Sequence, residues 1–177
     1  VLGVLWAVLN PLFMLAIYTF IFSVVFQATW GTDPGSQSGF ALFLFSGLIL
    51  YSVFSECVNE APSLLITNKL YIQQLVFPTE VLAWISLLGS LFHLVVNWVI
   101  LTLFYAAVIG APSFSVLYLP LTAIPIVLLS LGAVWFISSI GIYLRDLGHV
   151  VGLLTTALLF LSPIFYPASA VPAAFQA

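Results

Sequence analysis

Five apolar stretches separated by short polar breaks organise this chain, and they lie at about residues 5–28, 40–57, 81–109, 116–143 and 148–162. A run of roughly 20 apolar residues is enough to cross a bilayer as a helix. The first break, Trp30 to Gly39, is rich in Gly, Pro and Ser and reads as a turn. The second, residues 59–80, is longer and more polar. Gly110-Ala-Pro-Ser113 closes the third stretch, and Leu144-Arg145-Asp146-Leu147 separates the fourth from the fifth. Lipid leaves no partner for an open strand edge, and these runs are too long for barrel strands, so helices are the expected solution. The predicted fold is an all-α polytopic membrane protein in one domain, residues 1–177, with five visible spans. Asn10-Pro11 reads either as a cap with proline in the first turn or as a kink in a longer helix.

Composition sharpens this picture. Charged residues make up 4% of the 177 and apolar residues 64%, against about a quarter charged in a typical soluble domain. Residues 81–144 contain no Asp, Glu, Lys or Arg, and the only fixed cations are Lys69 and Arg145. That excludes a basic nucleic-acid surface. Cys57 is the single cysteine, which excludes an internal disulfide or a cysteine metal cluster. Counting crossings puts the 59–80 loop and the Arg145 turn on one side of the membrane, the cytoplasmic side by the positive-inside rule. The chain starts at Val1 within an apolar run, as expected of a fragment.

Candidate chemistry is sparse. In the 59–80 loop Asn68 can cap a short helix that places Lys69 and Gln73 on one face and Tyr71/Leu75 and Ile72/Val76 on another; Pro78 stops it. Such a helix can dock a cytoplasmic partner or rest on headgroups as a connector. In the third stretch Ser86, Ser90, His93 and Asn97 recur at intervals of four, three and four, one helical face. That stripe either lines a wet path or bonds to a neighbouring helix. Aromatics reach 16% and fit sugar stacking or interfacial belts. Gly148, Gly152 and Thr155 form a small-residue stripe for helix contact. Ser162, Pro163, Tyr166 and Pro167 break the fifth span, either ending it or turning it back into the membrane as a re-entrant gate. Glu56 and Glu60 read as a solvated helix end or a link to a partner, and Arg145 and Asp146 as anchors to headgroups, loops or a partner. Neither a phosphate-binding Walker loop nor a catalytic signature is present.

Taken together, several blocks resemble the membrane (permease) subunits of ATP-binding-cassette exporters for bacterial polysaccharides (O-antigen, capsule and teichoic acid). They are Leu2-Gly3, Trp6 and Asn10-Pro11; Phe43-Leu-Phe-Ser-Gly-Leu48 with Phe54-Ser-Glu56; Asn68 with Phe77-Pro78-Thr79-Glu80-Val81-Leu82; Arg145-Asp146-Leu147; and Ser162-Pro163-Ile-Phe-Tyr-Pro167 with Val171-Pro172. Their order agrees over nearly the whole chain. The resemblance implies a six-span permease in a bacterial inner membrane, of which the N-terminal interface helix and the sixth span lie outside this sequence. It also implies a second copy of the chain, a separate ATPase that binds ATP and Mg, and a lipid-linked glycan as substrate. The ATPase-coupling residues would be Lys69, Tyr71, Gln73, Gln74, Leu75, Phe77, Pro78, Glu80, Arg145 and Asp146. Gln73 and Gln74 depart from the family, where these positions are commonly basic. Two competing functions remain: a drug or lipid efflux permease of the same class, and a lipid-modifying membrane enzyme using His93 or His149 as base.

Overall fold

A computed structural model describes residues 2–21, 37–74, 78–108, 110, 118–144 and 146–165. Every regular element among them is helical: α1 (Leu2–Thr19), α2 (Gln37–Thr67), α3 (Lys69–Gln74), α4 (Glu80–Val108), α5 (Leu119–Gly141) and α6 (Leu147–Leu161). By length and composition α2, α4 and α5 can cross a membrane, while the apolar parts of α1 and α6 are shorter. At 15 residues α6 is about 22 Å long, short of the roughly 30 Å hydrocarbon layer.

α2 is the hub and touches each of the other five helices. Its contacts run in opposite order along α4 and α6 and in the same order along α5, so the helices alternate up and down. Leu42, Phe45, Ile49 and Val53 of α2 meet Leu15 of α1, Leu94, Ile100 and Leu101 of α4 and Ala123 of α5 in one buried cluster. One end further along, Cys57, Ala61 and Leu64 meet Leu82, Ala83 and Leu87 of α4 and Leu131 and Val134 of α5. The outer faces are apolar too: on α4, Leu88, Phe92, Val95, Val99 and Leu103 form an exposed stripe at helical spacing. A stripe of that kind is costly in water and at home in lipid.

α2 runs to Thr67 rather than ending near Cys57, so the start of the expected 59–80 loop, residues 59–67, is helix. Pro62 lies inside it and forfeits one backbone hydrogen bond. Burial of Ala61 and Leu64 against α4 and α5 holds the helix together beyond that point. Asn68 caps backwards: its side-chain amide donates to the Leu64 carbonyl at 2.8 Å, closing α2 instead of opening α3. Pro11 sits inside α1, so of the two alternatives for Asn10-Pro11 the longer interrupted helix is the one observed. Among the described glycines the tightest surroundings are at Gly141 of α5, where an added Cβ would stand 2.5 Å from the Pro62 carbonyl oxygen of α2. In the small-residue stripe of α6, a Cβ on Gly152 would lie 3.8 Å from Asn59 Oδ1 of α2, whereas one on Gly148 would have open space.

Candidate functional site

Polar groups on facing sides of α2 and α4 meet in register. His93 Nδ1 donates to Glu56 Oε2 at 3.0 Å. Just below, the Cys57 thiol donates to Ser90 Oγ at 3.3 Å. At the next turn the Ser86 hydroxyl donates to the Glu60 carboxylate. Advancing along α2 means retreating along α4, as antiparallel helices require. Ser86 and Ser90 are buried in this seam, each in a hydrogen bond to α2 of the kind the interhelical reading of the third-span stripe expects. His93 and Asn97 differ. The His93 and Glu56 side chains are 47% and 41% exposed, and with Asn97 they open onto a cavity.

That cavity, about 280 Å³, lies between α1, α2 and α4 and is lined by Trp6, Ala7, Asn10, Pro11, Glu56, His93 and Asn97. Pro11 cannot donate to the carbonyl of Ala7, so the α1 wall presents a backbone acceptor left without its helical bond. A second cavity of about 440 Å³ shares Asn10, Pro11, Glu56 and Asn97 and continues past Tyr51 and Tyr18 to Leu159 of α6. Sharing these four residues, the two make up a lane lined by hydrogen-bonding groups of α1, α2 and α4 and by the rings of Trp6, Tyr18, Phe45 and Tyr51. Its α6 side is pinned by the Tyr51 hydroxyl, which donates to the Thr155 carbonyl. The Thr155 hydroxyl lies 3.2 Å from Asn59 Oδ1 and 3.0 Å from the Val151 carbonyl, adding a second tie to α2.

At the far end of α2, a cavity of about 390 Å³ is walled by Leu65, Ile66, Lys69, Ile72, Thr79 and Ile142. Lys69 and the C-terminal end of α5 therefore share one end of the bundle. Pro78, Thr79 and Glu80 are exposed there, and the Glu80 carbonyl accepts from Trp135 Nε1 of α5 at 3.4 Å. The Glu80 side chain opens α4, where an acidic group complements the helix dipole. Asp146 is exposed at the start of α6. Of the remaining proposed coupling residues, Tyr71, Gln73 and Gln74 lie on α3 with side chains outside the description, and Leu75, Phe77 and Arg145 lie outside the described residues.

α6 stops where expected: Ser162 is extended ahead of Pro163 and its N–H returns to the Leu158 carbonyl. The turn that follows brings Ile164 against Gly47 of α2, where a Cβ would meet the Ile164 side chain at 3.2 Å. Tyr166 and Pro167 lie outside the described residues. The structure also brings in Trp6, Asn10 and Glu56, which the sequence does not single out as lining a path. Glu56 had a detectable signal, since Ser52, Glu56, Asn59, Glu60 and Ser63 keep helical spacing past Cys57.

Three relatives illustrate the likeness of this chain to known proteins. The O-antigen export system permease protein RfbA of Klebsiella pneumoniae is 27% identical over 176 residues, covering 99% of this chain and 65% of the relative. The protein of the same description from Myxococcus xanthus is 26% identical over 170 residues, 96% of this chain and 63% of the relative. The polysialic acid transport protein KpsM of Escherichia coli is 27% identical over 172 residues, 97% of this chain and 65% of the relative. The chain thus spans just under two thirds of the length of these relatives. The membrane-domain profile described as "ABC-2 type transporter" matches residues 1–177, and the chain belongs to that family of membrane proteins.

Proposed function

We propose that this chain is the translocating part of an exporter that moves lipid-linked polysaccharide out across the bacterial cytoplasmic membrane. The observation that carries this reading is the lane between α1, α2, α4 and α6. Inside a bundle whose outer faces are apolar, Asn10, Glu56, His93 and Asn97 place hydrogen-bonding groups beside Trp6 and Tyr51. Sugars present both hydroxyls and apolar ring faces, and such a wall serves both. Intramembrane ionisable groups facing a cavity mark a transport path more readily than a lipid contact. The relatives that match along nearly the whole chain are described as O-antigen and polysialic acid transport proteins.

On this proposal the energy comes from elsewhere. A separate ATPase binds ATP and Mg and docks at the end of the bundle that carries Lys69, Pro78, Glu80 and the Arg145-Asp146 turn. A second copy of the chain completes the pore, and the Ser162–Pro167 break gates its outer mouth. α2 links the two ends. A push on α3 and the Lys69 cavity reaches the Glu56 carboxylate through one continuous helix, so ATPase strokes and the lane are mechanically joined. The test is ATPase stimulation in the reconstituted complex of full-length permease and ATPase. Undecaprenyl-linked glycan should stimulate hydrolysis; stimulation by drug-like amphiphiles alone would move the protein to the efflux class.

A further inference from the structure

Among the described residues, no lysine or arginine lines the lane. Glu56 is the acidic group in the wall of the smaller cavity, and His93 is its hydrogen-bonding neighbour. With a neutral imidazole the wall carries the carboxylate's charge; with a protonated one the two cancel. In neither state is it positive. Asn10, Asn97 and Trp6 add no charge. The chain has two fixed cations, Lys69 and Arg145. Lys69 lines the separate cavity with Thr79 and Ile142. It lies beyond Thr67, and Thr67 itself is about 16 Å along α2 from Glu56 at 1.5 Å per residue. Arg145 follows α5 in the sequence, beside Asp146. At about 280 Å³ the cavity sits near the lower bound of small-molecule sites, roughly 300 Å³, a size suited to one sugar unit.

We infer that this cavity is a charge filter that admits neutral sugar units and disfavours acidic ones, whether carboxylated or phosphorylated. The inference rests on the polysaccharide-export proposal above. An acidic sugar beside Asn10 and Asn97 meets the Glu56 carboxylate, with no lysine or arginine among the described residues of the wall to compensate it. Discrimination by such a repulsive element needs no tighter fit to the preferred substrate. Sequence identity alone does not decide the matter, because the relatives described for O-antigen and for polysialic acid match this chain equally, at 27%.

The experiment uses the full-length permease with its ATPase in proteoliposomes. Two undecaprenyl-diphosphate-linked probes of equal length are compared, an oligoglucose and its C6-oxidised oligoglucuronate. At subsaturating concentration the neutral probe should be exported at least about tenfold faster. Glu56→Gln should shrink that ratio to within about threefold, whatever its effect on the overall rate. Asn97→Lys, which places a cation in the same wall, serves as the second variant and should shift the ratio towards the acidic probe. Equal export of both probes by the unaltered protein, or a ratio unmoved by both substitutions, overturns the filter and leaves the export proposal standing. If neither probe moves while amphiphiles stimulate the ATPase, the export proposal fails and the filter with it.

Discussion

Gly141 offers a sharp test of how the bundle is held together. It is the last residue of α5, and an added Cβ would lie 2.5 Å from the Pro62 oxygen, 3.0 Å from its Cα and 3.1 Å from its carbonyl carbon. All three are backbone atoms, so no side chain can swing aside, and α2 is itself braced by α4 and α6. Relief requires the two helices to part by several tenths of an ångström. Forced overpacking costs about 1–3 kcal/mol, and rigid neighbours favour the upper half of that range. Against it stands the helix propensity gained on replacing glycine, at most about 1 kcal/mol and less at a helix end. Gly132 in α5 and Gly89 in α4 are matched controls, with open space around the same added atom. For a chain of this size 1 kcal/mol moves a melting midpoint by about 2–4 °C. Gly141→Ala should lower the midpoint in detergent by about 5 °C, while Gly132→Ala and Gly89→Ala hold or raise it. Aggregation-based thermal scans of purified protein read this directly. A Gly141→Ala variant as stable as the two controls would refute the close contact between α5 and α2.

Further expectations concern coupling, orientation and chemistry. Replacing Tyr71 and Phe77 together with Ala should uncouple the ATPase without unfolding the spans; retained co-purification and transport in that double variant counts against docking at this end. Cysteines placed at Lys69 and Asp146 should react with an impermeant maleimide in inside-out vesicles and not in intact cells, and native Cys57, fully buried, should stay silent; labelling of position 69 from outside reverses the orientation. Ser90→Ala removes one interhelical hydrogen bond and should cost about 0.6 kcal/mol, the usual worth of such bonds in membranes; a loss several times larger would mean that the seam is strongly cooperative. His93→Gln combined with His149→Gln keeps a donor at the lane and should leave transport measurable, whereas abolished activity in a folded, ATPase-bound complex would point to acid–base chemistry.

What the sequence revealed and what it concealed divide along a physical line. Properties of one helix were legible. The apolar runs located α4 and α5 within a few residues, and intervals of four, three and four put Ser86, Ser90, His93 and Asn97 on one face. Properties of a pair of helices were not. Whether that face met water or another helix depended on α2, and periodicity in α4 carries no information about its neighbour. Closing the second span at Cys57 left Glu56 and Glu60 at a solvated end, although their spacing with Ser52 and Ser63 continued the helix. Pro62 lies inside α2, and burial of Ala61 and Leu64 carries the helix through it. Among the described glycines Gly141, not the Gly148–Gly152 stripe, meets the nearer helix, because close approach is decided by what stands opposite. Trp6 and Asn10 became site residues only once α1 lay beside both α2 and α4.

The most direct test of a sugar lane between α1, α2 and α4 is site-specific photocrosslinking during turnover. A photoreactive residue at Asn97, in the cavity wall, is compared with one at Leu103, 66% exposed on the outer apolar stripe of the same helix. With lipid-linked glycan and ATP supplied to the intact complex, position 97 should capture the sugar portion while position 103 captures only lipid. Sugar captured at 103 and not at 97 would place the path outside this cavity and contradict the proposal.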